Sequence, residues 1–77
     1  MSGLRLVPFR QFRQLLEKSG FVWQRCKGSH NIFRRDDGRV IVLPNHGAQV
    51  IPRPLTRKIL RDMNMDPEEY ERLLDED

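Results

Sequence analysis

The stretch Arg25-Cys26-Lys27-Gly28-Ser29-His30-Asn31-Ile32-Phe33 holds the residues of this 77-residue chain best suited to chemistry. An imidazole gains and loses protons near neutral pH, and lysine or arginine beside it supplies fixed positive charge. Such groups suit work on a phosphodiester, with the ring moving protons and the cations offsetting charge that builds on the phosphorus oxygens. His30 is thus a candidate acid or base, with Lys27, Arg25 and Arg34 as candidate phosphate partners. Gly28 is expected to let backbone come close to a phosphate. A plainer role fits the same residues, with His30 a surface histidine or a phosphate hydrogen-bond donor. His46, the second of the two histidines, could stand across a site from His30 or be a passive loop residue.

Cys26, His30 and His46 are possible metal donors, but their spacing matches no zinc pattern and a basic surround disfavours a cation. No metal or cofactor is expected. Trp23 and Phe21 could stack bases, although two aromatics in one strand of a small protein more often serve the core. Arg57, Lys58 and Arg61 lie on one side of an expected helix, where they could bind phosphates or keep that helix solvated.

The net charge of +3 hides an asymmetry. Residues 1–65 carry 13 Lys/Arg against 4 Asp/Glu, a net +9, and residues 66–77 carry 1 against 7, a net −6. A basic body favours a polyanion, because releasing condensed counterions drives binding to nucleic acid. The acidic segment could solubilise the chain, favour a helix start, or mimic phosphates on the basic surface. Hydrophobic residues make up 38% and charged residues 32%, an ordinary balance for a folded domain. The length suits one domain with a compact core and a shallow surface site, and leaves no room for a separate cofactor domain. The single cysteine rules out an intrachain disulfide. The longest wholly apolar run, residues 40–43, is far too short to span a bilayer. The first eight residues lack the apolar segment of a secretory signal, so the expectation is a cytoplasmic protein with no membrane partner.

These residues need elements to hold them. Phe9, Phe12, Leu15 and Leu16 recur at helical steps and predict a helix over residues 8–19, with Pro8 in its first turn and Gly20 at its stop. Strands are expected over 21–27, 29–35 and 39–43, the last two joined by the Asp36-Asp37-Gly38 turn and all three forming an antiparallel meander. A loop over 44–52 carries His46. A second helix starts near Pro54, turns Leu55, Ile59, Leu60 and Met63 inward, and ends at Asn64. Asp66-Pro67-Glu68-Glu69 reads as a capping box opening a short helix over 67–74. Each helix has one apolar stripe to bury, so the helices should share one face of the sheet. That is an α+β two-layer sandwich with an open sheet face. Side chains alternate along a strand, so a buried Phe33 places His30 on that open face. Residues 40–43 are all apolar, so both faces of the third strand are hydrophobic. One of them could be covered by another chain or by the final helix.

Taken in order, several segments resemble the HicA (YcfA-like) family of bacterial messenger-RNA interferase toxins. Leu15-Leu16-Glu17-Lys18-Ser19-Gly20-Phe21 is similar to that family's first-helix ending, and Lys27-Gly28-Ser29-His30 to its Gly-Ser-His signature. Leu43-Pro44-Asn45-His46 resembles its Val-Pro-x-His loop. Thr56-Arg57-Lys58-Ile59-Leu60-Arg61-Asp62 resembles its second helix, and Asp66-Pro67-Glu68-Glu69-Tyr70 its acidic, aromatic ending. The likeness runs from about Phe12 to Leu74. One departure is the start of the second helix, where the family commonly has Gly-Thr-Leu and this chain has Arg53-Pro54-Leu55-Thr56, stiffened by Pro52 and Pro54.

The resemblance implies a single HicA-like domain over 1–77 with the αβββα order of double-stranded-RNA-binding domains. It also implies a toxin of a type II toxin–antitoxin system, an endoribonuclease that cleaves messenger RNA and inhibits translation, with His30 as its catalytic residue. Lys27, Gly28, Ser29, Arg25, Arg34 and His46 would contact RNA, and a cognate HicB-type antitoxin would cover the site. A non-catalytic RNA-binding module using the same basic face is the alternative.

Overall fold

A computed structural model describes residues 4–76. Met1, Ser2, Gly3 and Asp77, the outer ends of the expected signal-free N-terminus and of the acidic segment, lie outside the described residues. The order is α1 (Phe9–Lys18), β1 (Val22–Lys27), β2 (His30–Arg34), β3 (Val40–Pro44), α2 (Arg53–Met63) and α3 (Pro67–Asp75). The strands form one antiparallel sheet in the order β1-β2-β3. This is the expected αβββα order, with a third helix at the C-terminal end.

The core follows from the apolar spacing. Phe9, Phe12, Leu15 and Leu16 on α1 are buried with Phe21, Phe33, Ile41, Leu43, Ile51, Ile59, Leu60, Met63 and Tyr70 in one cluster. Phe33, Ile41 and Leu43 enter it from one face of the sheet, so the helices cover that face alone. Leu55, expected to face inward, is only partly buried, and Thr56 takes the buried place beside it. The Thr56 hydroxyl is satisfied by donating to the Ile51 carbonyl at 3.3 Å.

The ends of the helices obey local rules. Asn64 adopts the left-handed conformation (φ 57°) that ends α2. Asp66 caps α3 by accepting from the Glu69 backbone N–H at 2.8 Å. Residues before α1 form a strap that sequence patterns do not announce. Val7 is buried and its carbonyl accepts from Ile51 N at 2.8 Å. Pro8 bridges to Val50, and Arg53 Nη1 donates to the Leu4 carbonyl at 3.0 Å. The strap thereby fastens the loop after β3, which carries His46, to the body. Among the described residues no helix is long and apolar enough to cross a membrane.

Candidate nucleic-acid interface

Strand register builds the open face. β1 and β2 pair Val22 with Arg34, Arg25 with Ile32 and Lys27 with His30. β2 and β3 pair Arg34 with Val40, Ile32 with Val42 and His30 with Pro44. These residues share the side opposite Phe33, Ile41 and Leu43, because side chains alternate. Three rows result, running across the sheet: Val22, Arg34, Val40; Arg25, Ile32, Val42; and Lys27, His30, Pro44, of which Pro44 alone is buried. The expectation that His30 emerges opposite Phe33 holds: Phe33 is fully buried and His30 is exposed.

A bulge decides which of the β1 residues joins this face. The β1–β2 register shifts between Trp23 and Arg25, so Gln24 is the extra residue. Trp23 lies opposite Phe33, on the helix side, while Arg25 and Lys27 turn to the face of His30. A regular strand would put Trp23 and Arg25 on the same side.

Trp23 is not in the core: it is 43% exposed, unlike buried Phe21. Its site at the outer edge of β1 lies beyond the helices' cover, and its indole N–H donates to Asn31 Oδ1 at 2.9 Å. Phe21 is held in place under the Arg35 guanidinium, 4.7 Å from the ring centre. Cys26 pairs with Asn31 on the helix side, so it and His30 are on opposite faces.

Gly28 and Ser29 form the two-residue turn between Lys27 and His30. Gly28 takes φ 63° as the first of the pair, the position at which such a turn needs glycine. A Cβ at Gly28 would meet no atom within 4 Å. The backbone angle accounts for glycine here, and no protein atom crowds the position, which leaves it open to a ligand. The Ser29 carbonyl accepts from Asn45 N at 2.8 Å, which ties the turn to the His46 loop. Asn45 Oδ1 in turn accepts from Gly47 N at 3.0 Å. The loop thus begins at the His30 end of the sheet, with His46 exposed.

Charge on this face is uncompensated. Among the described residues, Arg35 and Arg39 pair with Asp37, Lys58 with Asp62, Arg5 with Glu71 and Asp75, Arg13 with Glu17, and Arg72 with Glu69 and Glu76. None of these pairs includes Arg25, Lys27 or Arg34. Glu71 and Asp75 of α3 engage Arg5, and Glu69 and Glu76 engage Arg72 of the same helix, so these four carboxylates are not on the open face of the sheet. A shallow groove of ≈ 490 Å³ crosses the sheet, lined by Gln24, Arg25, Ile32, Arg34, Val40 and Val42. Its floor is apolar and its walls carry Arg25 and Arg34; His30 lies outside it and lines a neighbouring cavity with Val42, Pro44, Leu55 and Lys58. Arg57 and Arg61, exposed on α2, are not part of it. Signals for this arrangement are scarce in the sequence, since the bulge and the missing carboxylates are properties of the folded sheet.

A sequence-family model described as HicA toxin of bacterial toxin-antitoxin matches residues 9–65. That span includes α1, the sheet with His30, and α2. No individual curated protein matches the chain.

Proposed function

The chain belongs to the HicA toxin family of bacterial toxin–antitoxin systems, and from that premise we propose that it is an endoribonuclease cutting messenger RNA in the cytoplasm, with His30 as its catalytic residue. One observation carries the reading: His30 is exposed on the open face, paired with Lys27, in a sheet whose cations Arg25, Lys27 and Arg34 have no carboxylate partners among the described residues. Residues facing each other in a hydrogen-bonded pair, as Lys27 and His30 do across the turn, have Cα atoms about 5.5 Å apart. A phosphate held by Lys27 is then within reach of the imidazole.

In this mechanism the ribose 2′-hydroxyl attacks the adjacent phosphorus. The His30 ring takes the hydroxyl proton, the bond from phosphorus to the 5′-oxygen breaks, and that oxygen regains a proton from the imidazolium. The products are a 2′,3′-cyclic phosphate and a 5′-hydroxyl. Arg25, Lys27 and Arg34 bind phosphates and offset charge on the non-bridging oxygens. Ser29 and His46 border the same end of the sheet and contact the RNA, and Gly28 shapes the turn. The cationic surround repels a metal ion, which favours proton transfer by the ring. A HicB-type antitoxin neutralises the protein by covering this face.

Controlled expression in bacteria of the parent and of His30→Ala, following growth and messenger-RNA integrity together, tests the reading. The variant should fold and bind RNA while losing about 10²–10⁴ in cleavage rate. Undiminished toxicity would remove His30 from the mechanism, and binding without cleavage by the parent would leave only an RNA-binding module.

A further inference from the structure

The two edges of the sheet are finished differently. Along β1 the edge is interrupted by the bulge at Gln24 and carries Arg25 and Lys27, devices that discourage another strand from pairing. The β3 edge carries Val40 and Val42, which are 49% and 44% exposed, with no charge and no bulge between them. The ladder's phase shows what that edge offers. Arg35 N bonds to Arg39 O at 3.0 Å and Asn45 N to Ser29 O at 2.8 Å. Hydrogen-bonded pairs alternate, so Ile41 and Leu43 direct their N–H and C=O groups toward β2. Val40 and Val42 direct theirs outward, where no strand lies among the described residues.

We propose that the β3 edge is a docking site for an extended strand of a protein partner, one that alternates apolar and acidic side chains and pairs backbone to backbone with Val40 and Val42. The proposal rests on the reading above that a protein partner controls this face, and adds how it docks. Both halves of the partner's alternation come from the surroundings of the edge. At the β3 edge a groove of ≈ 280 Å³ runs between β3 and α2, with an apolar lining of Val40, Ile41, Val42, Leu55 and Ile59, the Lys58–Asp62 ion pair on its α2 side and His30 at its end. It takes the apolar side chains. On the open side the added strand extends the sheet with only β3 between it and Arg34 and His30, so its other side chains face the unpaired positive charge of that face and are acidic. A second copy of this chain would instead bring another body of net +9 to the same edge. Strands lie ~4.8 Å apart, which sets a partner residue beside Val42 two spacings, ~10 Å, from Ile32 on the strand of His30 and Arg34. A glutamate there reaches toward the phosphate-binding cations, so docking at the edge blocks the open face.

The test uses the isotope-labelled full chain and a ten-residue peptide of alternating valine and glutamate, with a valine–lysine peptide and a single-stranded oligoribonucleotide for comparison. Amide exchange is read by NMR. The valine–glutamate peptide should slow exchange at Val40 and Val42 by about tenfold or more, and leave Ile41 and Leu43 unchanged because they are already bonded to β2. Val42→Pro deletes an outward N–H without removing a bond to β2, and should abolish the effect. His30→Ala should retain it, so loss of the nuclease reading would not change this result. Val40 and Val42 amides that exchange at the free rate with peptide present overturn the proposal, whatever the folding of the proline variant. Equal protection by the valine–lysine peptide, or protection by the oligoribonucleotide alone, overturns it too.

Discussion

The indole N–H of Trp23 donates to Oδ1 of Asn31 at 2.9 Å, joining the single tryptophan of the chain to a buried polar residue next to His30. Asn31 Nδ2 in turn points at the Ser29 carbonyl, 3.5 Å away. The amide thus links the outer strand to the turn that precedes His30. Asn31→Ala should destabilise the protein by about 1 kcal/mol, the net worth of an ordinary hydrogen bond, because solvent can still reach the half-exposed indole. Denaturant melts followed by Trp23 fluorescence measure both the loss and the altered environment of the ring. An unchanged midpoint and emission spectrum would show that the contact holds nothing together.

Gly28 separates two explanations of one residue. Its φ of 63° strains any residue with a Cβ, while the space around it is open. Gly28→Ala should cost roughly 1–2 kcal/mol, and Gly28→Asn less, since asparagine tolerates this region. RNA affinity of the folded variants should match the parent. If both variants melted normally but bound RNA poorly, the close approach of phosphate to backbone would be the reason for glycine after all.

Elements set by neighbours in the chain were legible before the structure. The spacing of Phe9, Phe12, Leu15 and Leu16 gave α1 and its buried stripe, and Asp66-Pro67 gave the start of α3, because capping and helical periodicity act over a few residues. The face of His30 followed from alternation once Phe33 was placed inside. What escaped depends on pairing between distant segments. The Gln24 bulge sends Arg25 to the face of His30 and leaves Trp23 on the other side, and no local pattern marks it. The strap of residues 4–8 is held by Ile51, Arg53 and Tyr70, partners more than forty positions away. The apolar run 40–43 was visible, but its outer valines lie on the open face and not under α3.

Tyr70 is the single tyrosine, so its ionisation can be followed without interference. Its ring packs 6.0 Å from that of Phe12, and its hydroxyl donates to the Arg5 carbonyl. Burial, helped by the negative charge of Glu71, pushes its pKa up from 10.0 to about 12. The folded state therefore holds the proton more tightly than the unfolded chain. Below pH 10 the phenol is neutral in both states and its stabilising effect is complete. Between pH 10 and about 12 that effect shrinks as the unfolded chain ionises first, and above it nothing remains. Near-ultraviolet absorbance should show phenolate only near pH 12 or at unfolding, and stability should fall through this window. Tyr70→Phe should remove the alkaline loss and cost about 1 kcal/mol at neutral pH through the missing hydrogen bond. Phenolate forming near pH 10 in the folded protein would contradict the burial of this ring.

The cations of the open face make a prediction about salt. Each phosphate contact to a single strand releases condensed counterions and contributes about 0.7 to the slope of log affinity against log salt. In a His30→Ala background, which spares the RNA, replacing Arg25, Lys27 and Arg34 by glutamine should therefore lower that slope by about 2. Arg13→Gln is the control, because Arg13 is on the exposed side of α1 and already pairs with Glu17 at 3.1 Å. Losing one helix cation leaves the net charge lower by one but removes no contact on the sheet. A slope that falls as much per residue for Arg13 as for the sheet cations would mean that attraction depends on total charge. A slope untouched by the triple replacement would place the RNA on the helices, away from His30.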